Sequence, residues 1–157
     1  MKHEPGERLV TRVVEGDETA FEILVRKYQH SVANTIYRYT GDCADAEDLS
    51  QQVFIKVWRR ANTFKGRSKF STWLYRIVVN QCLDYKAKRK REAISLDELI
   101  EKEKISGPES LRPDIDFEKK RRTEIVQETI NGLPKNQRVA LILSKFEGKS
   151  YKEIAQI

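Results

Sequence analysis

The stretch from Asp45 to Arg91 constrains the fold more than any other part of this chain. It reads DAEDLSQQVFIKVWRRANTFKGRSKFSTWLYRIVVNQCLDYKAKRKR. Leu49, Val53, Phe54, Val57 and Trp58 recur at helical spacing, and so do Trp73, Leu74, Ile77, Val78, Cys82 and Tyr85. Between the two stripes, Asn62 to Phe70 reads as a loop with Gly66 as its turn residue and Ser71 as the cap of the second helix. Asp45, Glu47 and Asp48 fall in the first turn of the first helix and Arg59 and Arg60 in its last, as the helix dipole favours. Gln51, Gln52, Lys56 and Arg59 face away from the first stripe. Tyr75, Arg76, Val79, Asn80 and Leu83 lie off the second, which runs on into the basic run Lys86–Arg91. The pattern predicts two amphipathic helices with a protein-facing end and a nucleic-acid-facing end.

The flanks extend this helical reading. A stripe through Phe21, Leu24, Val25, Tyr28, Val32, Ile36 and Tyr39 predicts a long helix, capped by Asp17 or by a Thr19–Glu22 capping box and ended by Gly41 and Asp42. Leu9, Val10, Val13 and Val14 suggest a short helix before it, broken near Gly16. From Glu92 to Asp116 periodicity fades, acids accumulate, and Gly107, Pro108 and Pro113 break any long helix. This segment reads as an acidic linker, with room for one short helix around Leu96–Ile105. A second unit begins near Phe117. Ile125, Val126, Thr129 and Ile130 give one helix, stopped by Gly132. Pro134 opens another, with Val139, Ile142, Leu143 and Phe146 as its stripe and Gly148 at its end. Ser150 and Glu153 form a capping box for a last helix. The expected fold is therefore all-α: two small helical domains, 8–91 and 117–157, joined by an acidic linker over 92–116.

Composition narrows the class of function. A formal net charge of +6 over 157 residues favours polyanionic partners. The N-terminus has no apolar core of a secretory signal, and no run approaches the roughly 20 apolar residues of a membrane span. A cytoplasmic protein without membrane insertion is expected. Cys43 and Cys82 fit no metal-ligand spacing and read as reduced thiols. Phosphate-binding glycine loops, zinc-protease motifs and nucleophile elbows are lacking, and His3 and His30 stand isolated. No catalytic residue, metal or cofactor is expected.

Lys65, Arg67 and Lys69 lie near Phe70, Trp73 and Tyr75, with the run Lys86–Arg91 further along. Cations for phosphates beside rings for unstacked bases are what single-stranded DNA binding requires. Trp58, on an apolar stripe, reads mainly as packing. Asn80 can pair with adenine. The C-terminal pattern of helix, glycine turn and SYKEIA is the front half of a helix-turn-helix.

These residues resemble a known family. Asp45–Arg59 followed by Phe64–Asn80 is similar to region 2 of the sigma-70 family, closest to its extracytoplasmic-function (ECF) subgroup. The run LPKNQRVALILSKFEGKSYKEIA is similar to the start of the family's region 4. The resemblance covers roughly Val14–Arg91 and Glu124–Ile157. It implies a promoter-specificity subunit of bacterial RNA polymerase. Asp45, Asp48, Leu49, Gln51, Gln52, Lys56 and Arg59 would then meet the coiled coil of the β′ clamp. Lys65, Arg67, Ser68, Lys69 and Phe70 would capture a flipped non-template base of the −10 element, and Ser71 would begin the helix that lies along the −10 DNA. Trp73, Tyr75, Arg76 and Asn80 would lie along that DNA, and Lys86, Lys88 and Arg89 would hold phosphates. An anti-sigma factor is implied as a further partner. Trp73–Leu74 stands where primary sigma factors carry adjacent Trp residues, implying a weaker melting wedge. The linker's carboxylates would either mimic phosphates in the polymerase cleft or serve as a soluble tether. The family's −35-reading helix would follow Ile157, so this chain is not expected to make that contact. Two other classes fit the residues: a helix-turn-helix regulator acting without polymerase, and a decoy that titrates polymerase or an anti-sigma factor.

Overall fold

In the computed structural model, which describes residues 4–99 and 117–157, every regular element is helical among those residues. The helices are α1 (Gly6–Val14), α2 (Glu18–Thr40), α3 (Cys43–Arg60), α4 (Phe70–Leu99), α5 (Phe117–Asn131), α6 (Lys135–Lys145) and α7 (Tyr151–Gln156). A short 3-10 turn, Ala61–Thr63, follows α3. No described helix is long and apolar enough to cross a membrane.

The helix boundaries follow from local chemistry. The Asp17 carboxylate accepts the Ala20 N–H at 3.0 Å, so Asp17 and not Thr19 caps α2. Arg12 holds that carboxylate at 2.7 Å and Glu4 at 2.8 Å, tying α1 to the cap. Gly41, at φ +80°, ends α2, and Asp42 caps α3, which begins at Cys43, two residues before the start near Asp45 that the acidic stretch predicts. The helix α4 runs to Leu99, so the first residues assigned to the linker continue the helix. The remainder of the linker, with its acids and breakers, lies outside the described residues. The Ser150–Glu153 capping box forms as expected.

The first four helices close one core. Leu9, Val10 and Val13 of α1, Leu24, Val32 and Ile36 of α2, Leu49, Val53 and Val57 of α3, and Leu74, Val78 and Cys82 of α4 are all buried. Each such side chain contributes roughly 2 kcal/mol of transfer free energy.

The α5–α7 unit continues this core. Ile142 and Leu143 of α6 are buried beside Thr35, Tyr39, Val78 and Cys82. Arg138, only 8% exposed, donates to the carbonyls of Asn131 and Leu133 and lies 5.3 Å from the Tyr39 ring. Arg38 stacks 3.7 Å over Phe146, and Gln127 donates to the Arg38 carbonyl at 2.9 Å. In α5 only the end of the expected stripe packs: Ile130 is buried, whereas Ile125 and Val126 are exposed.

Candidate nucleic-acid interface and docking face

The basic loop rests on an aromatic floor. Phe64, Phe70 and Trp73 pack with centroids 5.6 to 5.8 Å apart, and Tyr28 lies 5.5 Å from Phe70. The Glu7 carboxylate accepts the Phe70 N–H at 2.7 Å, supplying from α1 the acceptor that the start of α4 lacks locally. At Gly6 a β-carbon would sit 2.8 Å from Phe70 Cδ1, so glycine permits this close approach. Gly66, at φ +66°, turns the loop over the floor. The result is a fixed platform with Lys65, Arg67 and Lys69 exposed and Ser68 half-buried.

The platform corrects several expectations. Phe70 is fully buried and cannot stack on a base without leaving the core. Leu74, the expected wedge residue, is buried as well. Ser71 is not the cap of α4: the helix begins one residue earlier, and the Ser71 hydroxyl accepts a hydrogen bond from Lys149 at 3.0 Å. Trp73, half-buried at the edge of the floor, leaves part of its ring accessible, as do the half-buried Phe64 and Tyr28.

Along α4, Arg76 and Asn80 are exposed, with Lys88 and Arg89 further on. Tyr75 is 2% exposed and donates to Glu147 at 2.5 Å, so it does not form part of a free surface. Burial and the bond to Glu147 both push its phenol well above the usual range. Arg76 donates to the Gln156 carbonyl. The basic tail is partly engaged. Lys86 lies 5.4 Å from the Tyr39 ring, and burial is the main cause of its lowered pKa. Arg89 donates to Asp45 at 3.1 Å and to the Tyr85 hydroxyl at 2.8 Å. Lys88 reaches Glu92 at 3.7 Å across a single helical turn.

The predicted docking residues separate into two sets. Asp48, Gln51 and Arg59 are exposed on α3, and Lys56 is half-buried. Asp45, half-buried, accepts from Tyr85 and Arg89 of α4, and Gln52, although exposed, accepts from Gln81 of α4 at 2.6 Å. Leu49 is 4% exposed and belongs to the core, which removes it from any contact face.

A groove between α2 and α3 was not legible in the sequence. Phe21, Phe54, Ile55 and Trp58 line it, with Gln51 and Arg59 at its rim. Trp58 is 41% exposed and meets Phe21 edge-on at 4.9 Å, so it is a surface residue of this groove and not mainly packing. Ile55, an apolar residue off the buried stripe, was the available signal. Its partners on α2 are too distant in sequence for periodicity to reveal.

Among the described residues no group of three or more His, Cys, Asp or Glu side chains could hold a metal ion. Both cysteines are free; burial pushes the Cys82 thiol up to about 12, so it stays protonated near neutrality.

A family model for Sigma-70 region 2 matches residues 24–92, and one for Sigma-70, region 4 matches residues 123–157. The ECF RNA polymerase sigma-E factor of Escherichia coli K12 is 40% identical over 159 residues, covering 95% of this chain and 80% of that protein. An engineered region 2 of sigmaE, solved in complex with GTAAAA, is 41% identical, covering 59% of this chain and 96% of that one with a TM-score of 0.54. The sigma factor RpoE from Bartonella quintana, solved with the anti-sigma factor NepR, shares the fold at 24% identity, covering 86% and 80% of the two chains with a TM-score of 0.63.

Proposed function

The chain belongs to the ECF branch of the sigma-70 family of RNA polymerase sigma factors, and we propose how its surfaces divide the work of transcription initiation. It acts by binding, without catalysis. Core RNA polymerase docks on the exposed side of α3, at Asp48, Gln51, Lys56 and Arg59, and on the adjoining α2–α3 groove, whose apolar floor offers the desolvated contacts that anchor interfaces. The β′ clamp coiled coil is the proposed occupant of that face. Asp45 and Gln52 hold α3 against α4 and so support the face from behind.

The −10 element of the non-template strand lies on the basic loop and on α4. Lys65, Arg67, Ser68 and Lys69 bind phosphates around an extruded base. Trp73 supplies the stacking edge, a contact of about 1–3 kcal/mol per base. Arg76 and Asn80 read the neighbouring bases, and Lys88 adds phosphate affinity. The observation that carries this reading is the platform of exposed cations on a fixed aromatic floor, in the segment that matches the region 2 solved with GTAAAA. An anti-sigma factor is the proposed regulatory partner, and the bacterial cytoplasm the proposed location.

The test is a salt titration of binding to a labelled single-stranded −10 oligonucleotide, with core polymerase present. Lys65→Ala with Arg67→Ala should flatten the slope of log K against log salt by about 0.7 for each phosphate no longer neutralised. An unchanged slope would remove the loop from the DNA surface.

A further inference from the structure

The basic loop ends where α4 begins, and α4 begins without a side-chain cap of its own. The Lys69 carbonyl accepts the N–H groups of Thr72 and Trp73, at 3.0 and 3.2 Å, which puts Lys69 at the head of the helix. That position ordinarily carries a short side-chain oxygen, as Asp17, Asp42 and Ser150 do for α2, α3 and α7. Lys69 has none, and the Ser68 hydroxyl is turned to the Lys69 carbonyl at 3.3 Å. An acceptor arrives from α1 instead: the Glu7 carboxylate takes the Phe70 N–H at 2.7 Å. An ordinary cap would tie the side chain at position 69 to the helix. With the acceptor supplied from elsewhere, that position carries a cation whose side chain is 72% exposed.

The approach of α1 is as specific as the bond. Gly6 is buried, and a β-carbon there would lie 2.8 Å from Phe70 Cδ1, 2.9 Å from the Tyr28 hydroxyl and 3.1 Å from Phe70 Cβ. Leu9, Val10 and Val13 anchor α1 in the core, and Arg12 ties it to Glu4 and Asp17. Lys27 of α2 adds a bond to the Glu4 carbonyl at 2.8 Å. Glu7 lies upstream of residues 24–92, the segment that matches region 2, yet it holds the residue on which the loop ends.

We propose that Glu7 is a positioning residue for capture of the extruded base. Its carboxylate fixes the Phe70 N–H, and through it the height of residues 65–69 above the aromatic floor. Phosphate contacts tolerate a loop that shifts, because charge acts over a Debye length of about 8 Å. A pocket around one base does not, because hydrogen bonds and ring contacts need fixed distances. Glu7 therefore acts on how firmly a base is held and not on whether the strand is bound. The role rests on the assignment of the loop to the −10 strand given above.

The experiment uses the full chain bound to core RNA polymerase. Anisotropy measures binding of labelled GTAAAA and of a series in which each position in turn is abasic. In the unmodified chain the position whose loss weakens binding most marks the captured base. A loop that is competent in about one-tenth of the molecules weakens base-dependent binding about tenfold. Glu7→Ala removes the acceptor. Gly6→Ala keeps it but displaces it, a second route to the same loss. Glu7→Gln retains a carbonyl oxygen at the same reach. Ile36→Ala, which opens the core of α2 about two turns beyond Tyr28, reports what lost stability alone does.

Glu7→Ala and Gly6→Ala should bind intact GTAAAA about tenfold more weakly, with binding to the strand abasic at the captured position unchanged and the salt slope unchanged. Glu7→Gln should keep the unmodified affinity, and Ile36→Ala the unmodified ratio of intact to abasic binding. An unchanged ratio in Glu7→Ala and Gly6→Ala, or an equal loss on intact and abasic strands, would overturn the positioning role and leave the DNA face standing. So would a ratio that falls as far in Ile36→Ala, or a Glu7→Gln variant as defective as Glu7→Ala. An abasic scan that is flat in the unmodified chain would remove the captured base itself, and the role of Glu7 with it.

Discussion

Phe70 and Lys69 are adjacent in sequence and opposite in role. Phe70 lies at the bottom of the platform, with its N–H held by Glu7 and its ring against Tyr28, Phe64 and Trp73. Phe70→Ala should cost about 3 kcal/mol or more of stability, read by denaturant unfolding, because it opens a cavity where four aromatic rings converge. Lys69→Ala should leave stability within about 0.5 kcal/mol, since its pairing with Glu153 is exposed. Equal losses in the two variants would mean that the loop is not supported in the way described. This distinction was not legible in the sequence. Both residues sit in one short basic-aromatic run, and only Glu7, 63 residues earlier, decides which of them turns inward. Tyr75 and Trp58 were misplaced for the same reason: a second unit covers the first, and α2 leaves the second at the rim of a groove.

At the scale of the element, helices were the legible part. Stripes at 3.6 spacing located α2, α3, α4 and α6, and the Ser150–Glu153 box located α7 to the residue. What periodicity could not give was the outer face of each helix, because a polar residue can face either water or another helix. Asp45 and Gln52 share a helix with Gln51 and Arg59, yet their partners are Tyr85, Arg89 and Gln81 of α4. The α7 cap carries a pH signature. The Ser150 N–H, then Lys69 and the Ser150 hydroxyl, hold the Glu153 carboxyl at about 2, below its ordinary 4.5. A carboxyl depressed in the fold contributes stability that is present above pH 4.5 and lost as pH falls toward 2. Amide exchange in α7 should accelerate over that window, and Glu153→Gln should flatten the response. A response unchanged by the substitution would assign the titration to other carboxyls.

The whole molecule places two faces on one helical scaffold. The basic loop and outer edge of α4 form one, and the α2–α3 groove with the exposed side of α3 forms the other. The sequence places the proposed division near Asn62, where charge changes character along the chain. The packing of α5–α7 over α2 and α4 was not legible, since no local pattern encodes contacts such as Thr35 to Glu147, 112 residues apart. The central claim is that the two faces act separately, one on polymerase and one on DNA. Its most direct measurement is co-elution with core RNA polymerase at moderate salt, comparing the unmodified chain with Gln51→Ala/Arg59→Glu and with Lys65→Ala/Arg67→Ala. The unmodified chain and the loop variant should co-elute with core, and the α3 variant should bind it at least tenfold more weakly, about 1.4 kcal/mol. Failure of the unmodified chain to bind core, or equal weakening in both variants, would contradict it.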